Sequence, residues 1–227
     1  TEIYTLSLHD ALPILNFKNP NLVIKKALRG AISDLICKGI IPKYYFMSCS
    51  GNKKHLTQAN LSKIKLALKH EQKKYNIFLA GGDTSYSNRL SITFSVVGYS
   101  KKSPVLRSGA KVNDDIYITN TIGDAFVGLK LLKDQIKLSK KNSDYFVKRF
   151  YLPILPIKFS KRIHLFANSA IDISDGFFQD LQHILSRSNL SSKIFKNKIP
   201  ISSYLNSYLI KTKRSEERRV GKECRSR

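Results

Sequence analysis

The sequence has few cysteines, few acidic residues and no long apolar run. Its 227 residues include three cysteines, and no two of them have Cys-x-x-Cys spacing. So low a number predicts a reducing, cytoplasmic environment and argues against a disulfide framework or a structural zinc site. No apolar run approaches the roughly 18–20 residues that cross a bilayer, so we expect no membrane-spanning segment and no membrane partner.

The shortage of acidic residues leaves a strongly basic chain. Asp and Glu number 16 against 40 Lys and Arg, which gives a formal net charge of +24. Apolar residues at 42% rule out a disordered polycation. Between residues 15 and 213 the cations are dispersed, 28 Lys against only 6 Arg. Because nucleic-acid recognition favours Arg, we expect a solvated basic surface and no nucleic acid as partner, with a basic RNA-binding module as the alternative of another class.

The two ends of the chain have a common origin at the DNA level. The peptides TLSLHDALPI at 5–14 and SEERRVGKE at 215–223 can be encoded by one DNA string and its reverse complement. That string resembles a short-read sequencing adapter. We therefore predict that residues 1–14 and 214–227, including Cys224, are adapter-derived, and that the native sequence continues beyond both junctions. The alternative is a native basic tail after Lys213.

Helical and strand patterns alternate along the interior, which predicts an α/β (α+β) fold. In the first half we predict helices at 21–39 and 56–75 and strands at 41–49, 76–80 and 90–99. In the second half we predict strands at 115–119 and 170–173 and helices at 123–132, 139–149 and 175–186. These elements suggest an N-terminal domain at 15–105 and a C-terminal domain at 106–213.

Two Asp-bearing segments are predicted to follow strands. Gly82 and Asp83 belong to a Gly-Gly-Asp-Thr segment, where glycines allow a phosphate to approach the backbone and a carboxylate can bind Mg²⁺. An ordinary turn is the alternative there. The segment Ile171–Gly176 carries Asp172, Ser174 and Asp175 at a strand-to-helix junction, which suits metal and phosphate binding. The alternative is that Ser174 or Asp175 simply caps the helix.

Two further charged residues are candidates on weaker grounds. Asp34 lies among apolar residues of the first predicted helix, a position that is uncommon unless the carboxylate is paired or binds metal. An exposed helical Asp is the alternative. Arg107 is one of the few interior arginines and could clamp a phosphate, or it is an ordinary loop residue.

Together, and in this order, four segments resemble the thiamine-monophosphate kinase family. The similarity extends over about residues 17–204. The segments are KALRGAISDLICKGIIP (26–42), GGDTS (81–85), LRSGAKVNDDIYITNTIGDAFVGL (106–129) and NSAIDISDGFFQDLQHI (168–184). The resemblance implies the two-domain fold of the aminoimidazole ribonucleotide synthetase-like superfamily. In that fold an N-terminal α/β domain forms a homodimer and a C-terminal α+β domain follows, and both domains are expected to be incomplete in this sequence.

The resemblance also implies an activity and a set of site residues. The activity is ATP-dependent, Mg²⁺-dependent phosphorylation of thiamine monophosphate to thiamine diphosphate by direct transfer, without a protein nucleophile. Such chemistry depends on positioning and charge neutralisation. By position, the implied Mg²⁺ ligands are Asp34, Asp83, Asp172 and Asp175, and the implied ATP-binding residues are Gly82, Asp83, Arg107 and Ser174.

The sequence departs from the family pattern at several places. Ala31 stands where the family usually has Asn, and the link LPILPI at 152–157 lacks an Arg. The family's N-terminal Gly-Asp-Asp segment and C-terminal Gly-Gly-Glu-Asp-Tyr-like segment are absent, and we expect both beyond the junctions. Two alternatives therefore stay open, another ATP-using member of the superfamily and an inactive remnant that only dimerises.

Overall fold

The structure, a computed structural model, describes residues 3–7 and 17–211. A four-stranded sheet has the order β1-β4-β2-β3, in which β4 pairs antiparallel with β1 and with β2, while β2 and β3 are parallel. The strands are β1 (Ile3–Ser7), β2 (Ile41–Gly51), β3 (Phe78–Tyr86) and β4 (Ser91–Tyr99). Strand β1 falls within the segment predicted to be adapter-derived. The rest of that prediction, at 8–14 and 214–227 with Cys224, lies outside the described residues.

Seven helices are described. They are α1 (Pro20–Ile36), α2 (Gln58–Tyr75), α3 (Asp124–Leu132), α4 (Lys140–Tyr151), α5 (Ile157–Ser160), α6 (Phe177–Ser188) and α7 (Ser203–Lys211). Two short 3₁₀ turns occupy Ile163–Leu165 and Lys196–Lys198. Within the described part of the chain, no helix combines the length and the apolar character needed to cross a membrane.

Helix α1 forms where the apolar spacing predicts it. The Asn19 side chain accepts a hydrogen bond from the amide of Leu22, and Pro20 occupies the first turn, where its missing N–H costs nothing. Gly39 follows the helix with φ +79°, a conformation that favours glycine. One side of α1 is fully buried against the sheet and α2 and supplies much of the main core, which Tyr45, Phe94 and Ile92 complete from the strands.

A buried ion pair joins α1 to α2. The Arg29 guanidinium donates to both carboxylate oxygens of Glu71, at 2.7 and 2.9 Å, and a third donor reaches the carbonyl of Pro153 at 3.2 Å. Beside it, Lys26 donates to the carbonyl of Phe150 at 3.0 Å. Lys26 and Arg29 of α1 therefore hold the C-terminal end of α4 and Pro153, which follows it. The Phe150 side chain packs into the main core.

The alternative of an ordinary turn at 81–84 is wrong. These residues continue β3, and the parallel pairing with β2 runs on to Tyr86. The register shifts between Tyr45 and Phe46, so Ala80 is the extra residue of a bulge. At Gly82 a Cβ atom would collide with the carbonyl oxygen of Met47 on β2, so glycine is required there for strand pairing.

The second half of the described chain folds as helices and loops. A second core, formed by Val127, Phe146, Leu205 and Tyr208, joins α3, α4 and α7. The strands predicted at 115–119 and 170–173 are wrong, because within the described residues neither segment pairs with another strand, and most side chains of 115–119 are exposed. The domain boundary at 105/106 stays a prediction.

Candidate functional site

The carboxyl groups of Asp34 and Asp172 lie side by side although they come from distant parts of the chain. Asp34 is in the last turns of α1, and Asp172 is in the loop before α6. Burial, followed by the negative charge of Asp172, raises the pKa of Asp34, which donates a hydrogen bond to Asp172. Burial also raises the pKa of Asp172. The two groups therefore share a proton when no cation compensates their charge.

Three further neighbours of this acid pair are Ser33, Arg107 and Cys37, and, after burial, the charge of Asp180 also raises the pKa of Asp172. The Ser33 hydroxyl donates a hydrogen bond to Asp172. The positive charge of Arg107 opposes the rise in the pKa of Asp34 that burial and the charge of Asp172 cause. The Cys37 thiol donates to the carbonyl of Asp34 at 3.3 Å, and burial raises its pKa, so it is a neutral thiol. Arg107 is the one cation that these contacts bring to the pair, and it does not balance two carboxylates.

The loop that carries Ser174 and Asp175 is held by a residue that the sequence analysis missed. The carboxylate of Asp180, on the first turns of α6, accepts hydrogen bonds from the backbone amides of Ser174, Asp175 and Gly176 at 3.0, 3.2 and 3.1 Å. The N-cap of α6 is Gly176, without a side-chain cap. The alternative that Ser174 or Asp175 caps the helix is therefore wrong, and both side chains are exposed.

The segment containing Arg107 lies against the same loop. The amide of Ala170 donates to the carbonyl of Leu106 at 3.0 Å, and the Ser169 hydroxyl donates to the carbonyl of Arg107, also at 3.0 Å. An open groove of about 370 Å³ adjoins Arg107, and its walls include Leu106, Ser108, His164 and Asn168.

Asp83 is separate from the acid pair. The strand register places it beside Ser48, on the sheet face opposite α1 and α2, where both side chains are exposed. Residues 17–210 contain no group of three or more His, Cys, Asp or Glu side chains arranged to hold a metal ion. The structure thus brings together Asp34, Asp172 and Arg107, while the four-carboxylate metal set stays a prediction.

The acid pair fits a divalent cation by the chemistry of its donors. The two half-buried carboxyl groups have pKa values raised by burial, and too little positive charge lies near them to compensate two negative charges. Hard cations such as Mg²⁺ prefer carboxylate oxygen ligands. A bound cation would return both groups to their ionised form. Asp34 and Asp172 are therefore the residues that would hold it, with the exposed Asp175 on the same loop as Asp172.

Known proteins resemble this chain over most of its length. The family model "AIR synthase related protein, N-terminal domain" matches residues 7–100. The thiamine-monophosphate kinase of Buchnera aphidicola subsp. Acyrthosiphon pisum (strain APS) is 36% identical over 208 residues, which are 89% of this chain and 62% of that protein. The chain thus spans about three fifths of the length of the curated relatives it matches.

Solved structures agree with the sequence comparison. The crystal structure of thiamine monophosphate kinase from Aquifex aeolicus has a TM-score of 0.86 at 27% identity, covering 94% of this chain and 72% of that one. A second structure, described as AaThiL complexed with AMPPCP and TMP, has the same TM-score and identity and is covered over 68% of its length. The expected fold is confirmed, and the chain is similar to thiamine-monophosphate kinases over most of its length.

Proposed function

We propose that the protein containing this chain phosphorylates thiamine monophosphate to thiamine diphosphate at the expense of ATP. In this reaction an oxygen of the substrate phosphate attacks the γ-phosphorus of ATP, and the bond to the leaving ADP oxygen breaks. The similarity to thiamine-monophosphate kinases and the related complex with AMPPCP and TMP support this proposal. The observation that carries it is the juxtaposition of Asp34 and Asp172 near Arg107.

The charges of this cluster suit phosphoryl transfer. Such transfer requires that the phosphates be positioned and their negative charge neutralised. Two carboxylates alone would repel ATP, whereas a held Mg²⁺ would neutralise phosphate charge. We propose that Asp34 and Asp172 hold the metal with help from Asp175, and that Arg107 and Ser174 contact the phosphates. Asp83 as a metal ligand, and Gly82 and Asp83 as ATP-binding residues, stay proposals carried by the family resemblance.

Binding of an ATP analogue tests the metal role of the acid pair. We expect the chain to bind AMPPCP in Mg²⁺ and to lose that binding in EDTA, measured by calorimetry. Asp34→Asn and Asp172→Asn should each weaken Mg²⁺-dependent binding by about tenfold or more. Because each variant removes one of two repelling carboxylates, its thermal stability should be equal or higher. Asp144→Asn, which changes an exposed carboxylate on α4, is the matched control and should bind normally.

The outcome separates the alternatives. Formation of thiamine diphosphate, followed chromatographically, supports the proposed reaction. Transfer to a different acceptor would instead identify another ATP-using member of the superfamily. Absence of both nucleotide binding and transfer would favour a remnant that only dimerises. Equal binding by wild type and by both variants would contradict a metal role for the acid pair.

We further propose that the chain forms a homodimer through the sheet face that α1 and α2 leave uncovered. Tyr44, Phe46, Phe78 and Tyr99 lie on this open face, each 44–49% exposed, and the Tyr44 and Phe78 rings are 6.5 Å apart. Exposed apolar patches of this kind mark interaction surfaces. A cytoplasmic location is proposed with it, in agreement with the free thiols of Cys37 and Cys49.

A further inference from the structure

Asp180 fixes the backbone of residues 174–176 through one carboxylate oxygen. It is the fourth residue of α6 and is 3% exposed, and its Oδ2 accepts from three consecutive amides. Three hydrogen bonds to one atom tie this part of the loop to the start of α6.

That arrangement decides which groups the loop presents to solvent. With their amides turned towards Asp180, Ser174 and Asp175 expose their side chains. The turn depends on Gly176, whose φ of +152° disfavours other residues, although a Cβ there would meet no atom within 4 Å. The hydrogen bonds to Asp180 therefore fix the backbone from which the Ser174 hydroxyl and the Asp175 carboxylate project.

We infer that Asp180 is a positioning residue that holds the loop 174–176 so that Ser174 and Asp175 receive the phosphates and metal of Mg-ATP. This inference rests on the proposed function. Asp180 acts through the backbone and touches neither ligand. Without the hydrogen bonds to Asp180 the loop would sample several conformations. Nucleotide would bind only the conformation seen here, so its apparent affinity would fall.

Amide exchange tests the anchor without any reference to nucleotide. In ¹⁵N-labelled wild-type chain the amides of 174–176 should be protected from exchange, and in Asp180→Ala that protection should be lost while α1 and the sheet keep theirs. Asp180→Asn retains an acceptor oxygen and should keep part of the protection, so it also serves if the alanine variant folds poorly. Unchanged protection of these three amides in Asp180→Ala would overturn the anchor.

Nucleotide binding tests the consequence. Asp180→Ala should weaken Mg-AMPPCP binding about 10- to 100-fold, the range for residues that orient ligand-holding groups. Asp180→Asn should recover part of the loss, and Asp144→Asn should lose nothing. The losses in Asp180→Ala and Ser174→Ala should be less than additive in the double variant, which a general loss of stability would not produce.

The results distinguish this inference from the proposed function. If wild type binds Mg-AMPPCP and Asp180→Ala binds equally well, the positioning role is wrong and the proposed function stands. If wild type does not bind, the proposed nucleotide site of this chain is wrong, and the positioning role fails with it. Strictly additive losses with Ser174→Ala would also overturn the positioning role.

Discussion

Arg29 and Glu71 are the charged residues on which the α1–α2 contact depends. Their side chains are 5% and 0% exposed, and both Glu71 oxygens accept from Arg29. Burial by itself would raise the pKa of Glu71, but the hydrogen bonds and charge of Arg29, with a contribution from His70, hold that pKa below its usual value. The pair is therefore ionised at neutral pH and tolerates burial only as a pair.

Glu71→Gln should destabilise the fold in a pH-dependent way. Leaving Arg29 without its partner should cost about 3–5 kcal/mol at pH 7, measured as the free energy of unfolding in urea. Since the folded pKa of Glu71 is lowered, its contribution is complete above the unfolded pKa of about 4.3 and is lost as pH falls through the folded value. The gap between wild type and variant should therefore shrink below about pH 4.

Asp144→Asn is the control for this measurement, because an exposed carboxylate should change stability by about 0.5 kcal/mol or less. A gap for Glu71→Gln that is as large at pH 3 as at pH 7 would contradict the ionised pair.

Of the residues at the site, Asp34 could be predicted from the sequence and Asp180 was not. Asp34 was a candidate because a carboxylate among apolar helical residues needs an explanation. Asp180 was missed because its role is to accept backbone amides. An Asp four residues after Gly176, in the first turns of a helix, is nevertheless a signal of the capping type that could have found it.

At the scale of elements, helices were predictable and strands less so. The 3.6-residue spacing is a property of one segment, so α1 and α2 lie within three residues of their predicted bounds. A strand depends on a partner that may be far along the chain. The segment 115–119 has strand-like residues but no partner among the described residues. Residues 81–84, for which a turn was the alternative, are instead paired with β2.

Strand pairing between β2 and β3 should depend on Gly82 and not on its neighbour. Gly82→Ala forces a Cβ into the Met47 carbonyl and should cost about 1–3 kcal/mol of unfolding free energy. Gly81→Ala is the matched control, because its Cβ would lie at an ordinary 3.5 Å from the Phe46 ring. Chemical denaturation of both variants checks this, and equal losses would contradict the close approach at Gly82.

In the whole molecule, residues that the sequence marks as site candidates lie close together only in part, and local sequence patterns do not predict which ones. Asp34, Arg107 and Asp172 come together because the loop before α6 and the 106–110 segment pack beside the end of α1. Asp83 lies on the other sheet face because β3 continues through it. Such convergence depends on long-range packing that no local pattern encodes.

The open sheet face carries few charges on a chain with net charge +24, and Asp83 is the one charged residue of β3. β4 has no charged residue, and Lys43 is the one charged residue of β2, with its ammonium 4.8 Å from the Phe78 ring centre. Depletion of charge around aromatic residues is typical of interface cores. Two such faces can therefore meet without bringing many lysines together, which supports a second copy as the occupant.

Phe46→Glu should convert the proposed dimer to monomer. Each copy would place a carboxylate in the middle of the apolar face, and burying unpaired charge on both sides of an interface is costly. Sedimentation equilibrium should give twice the chain mass for wild type and the single mass for the variant. Leu66→Glu, on the solvent side of α2 and 63% exposed, introduces the same charge away from the face and should leave the dimer intact. A monomeric wild type, or dissociation by both variants alike, would contradict dimerisation through this face.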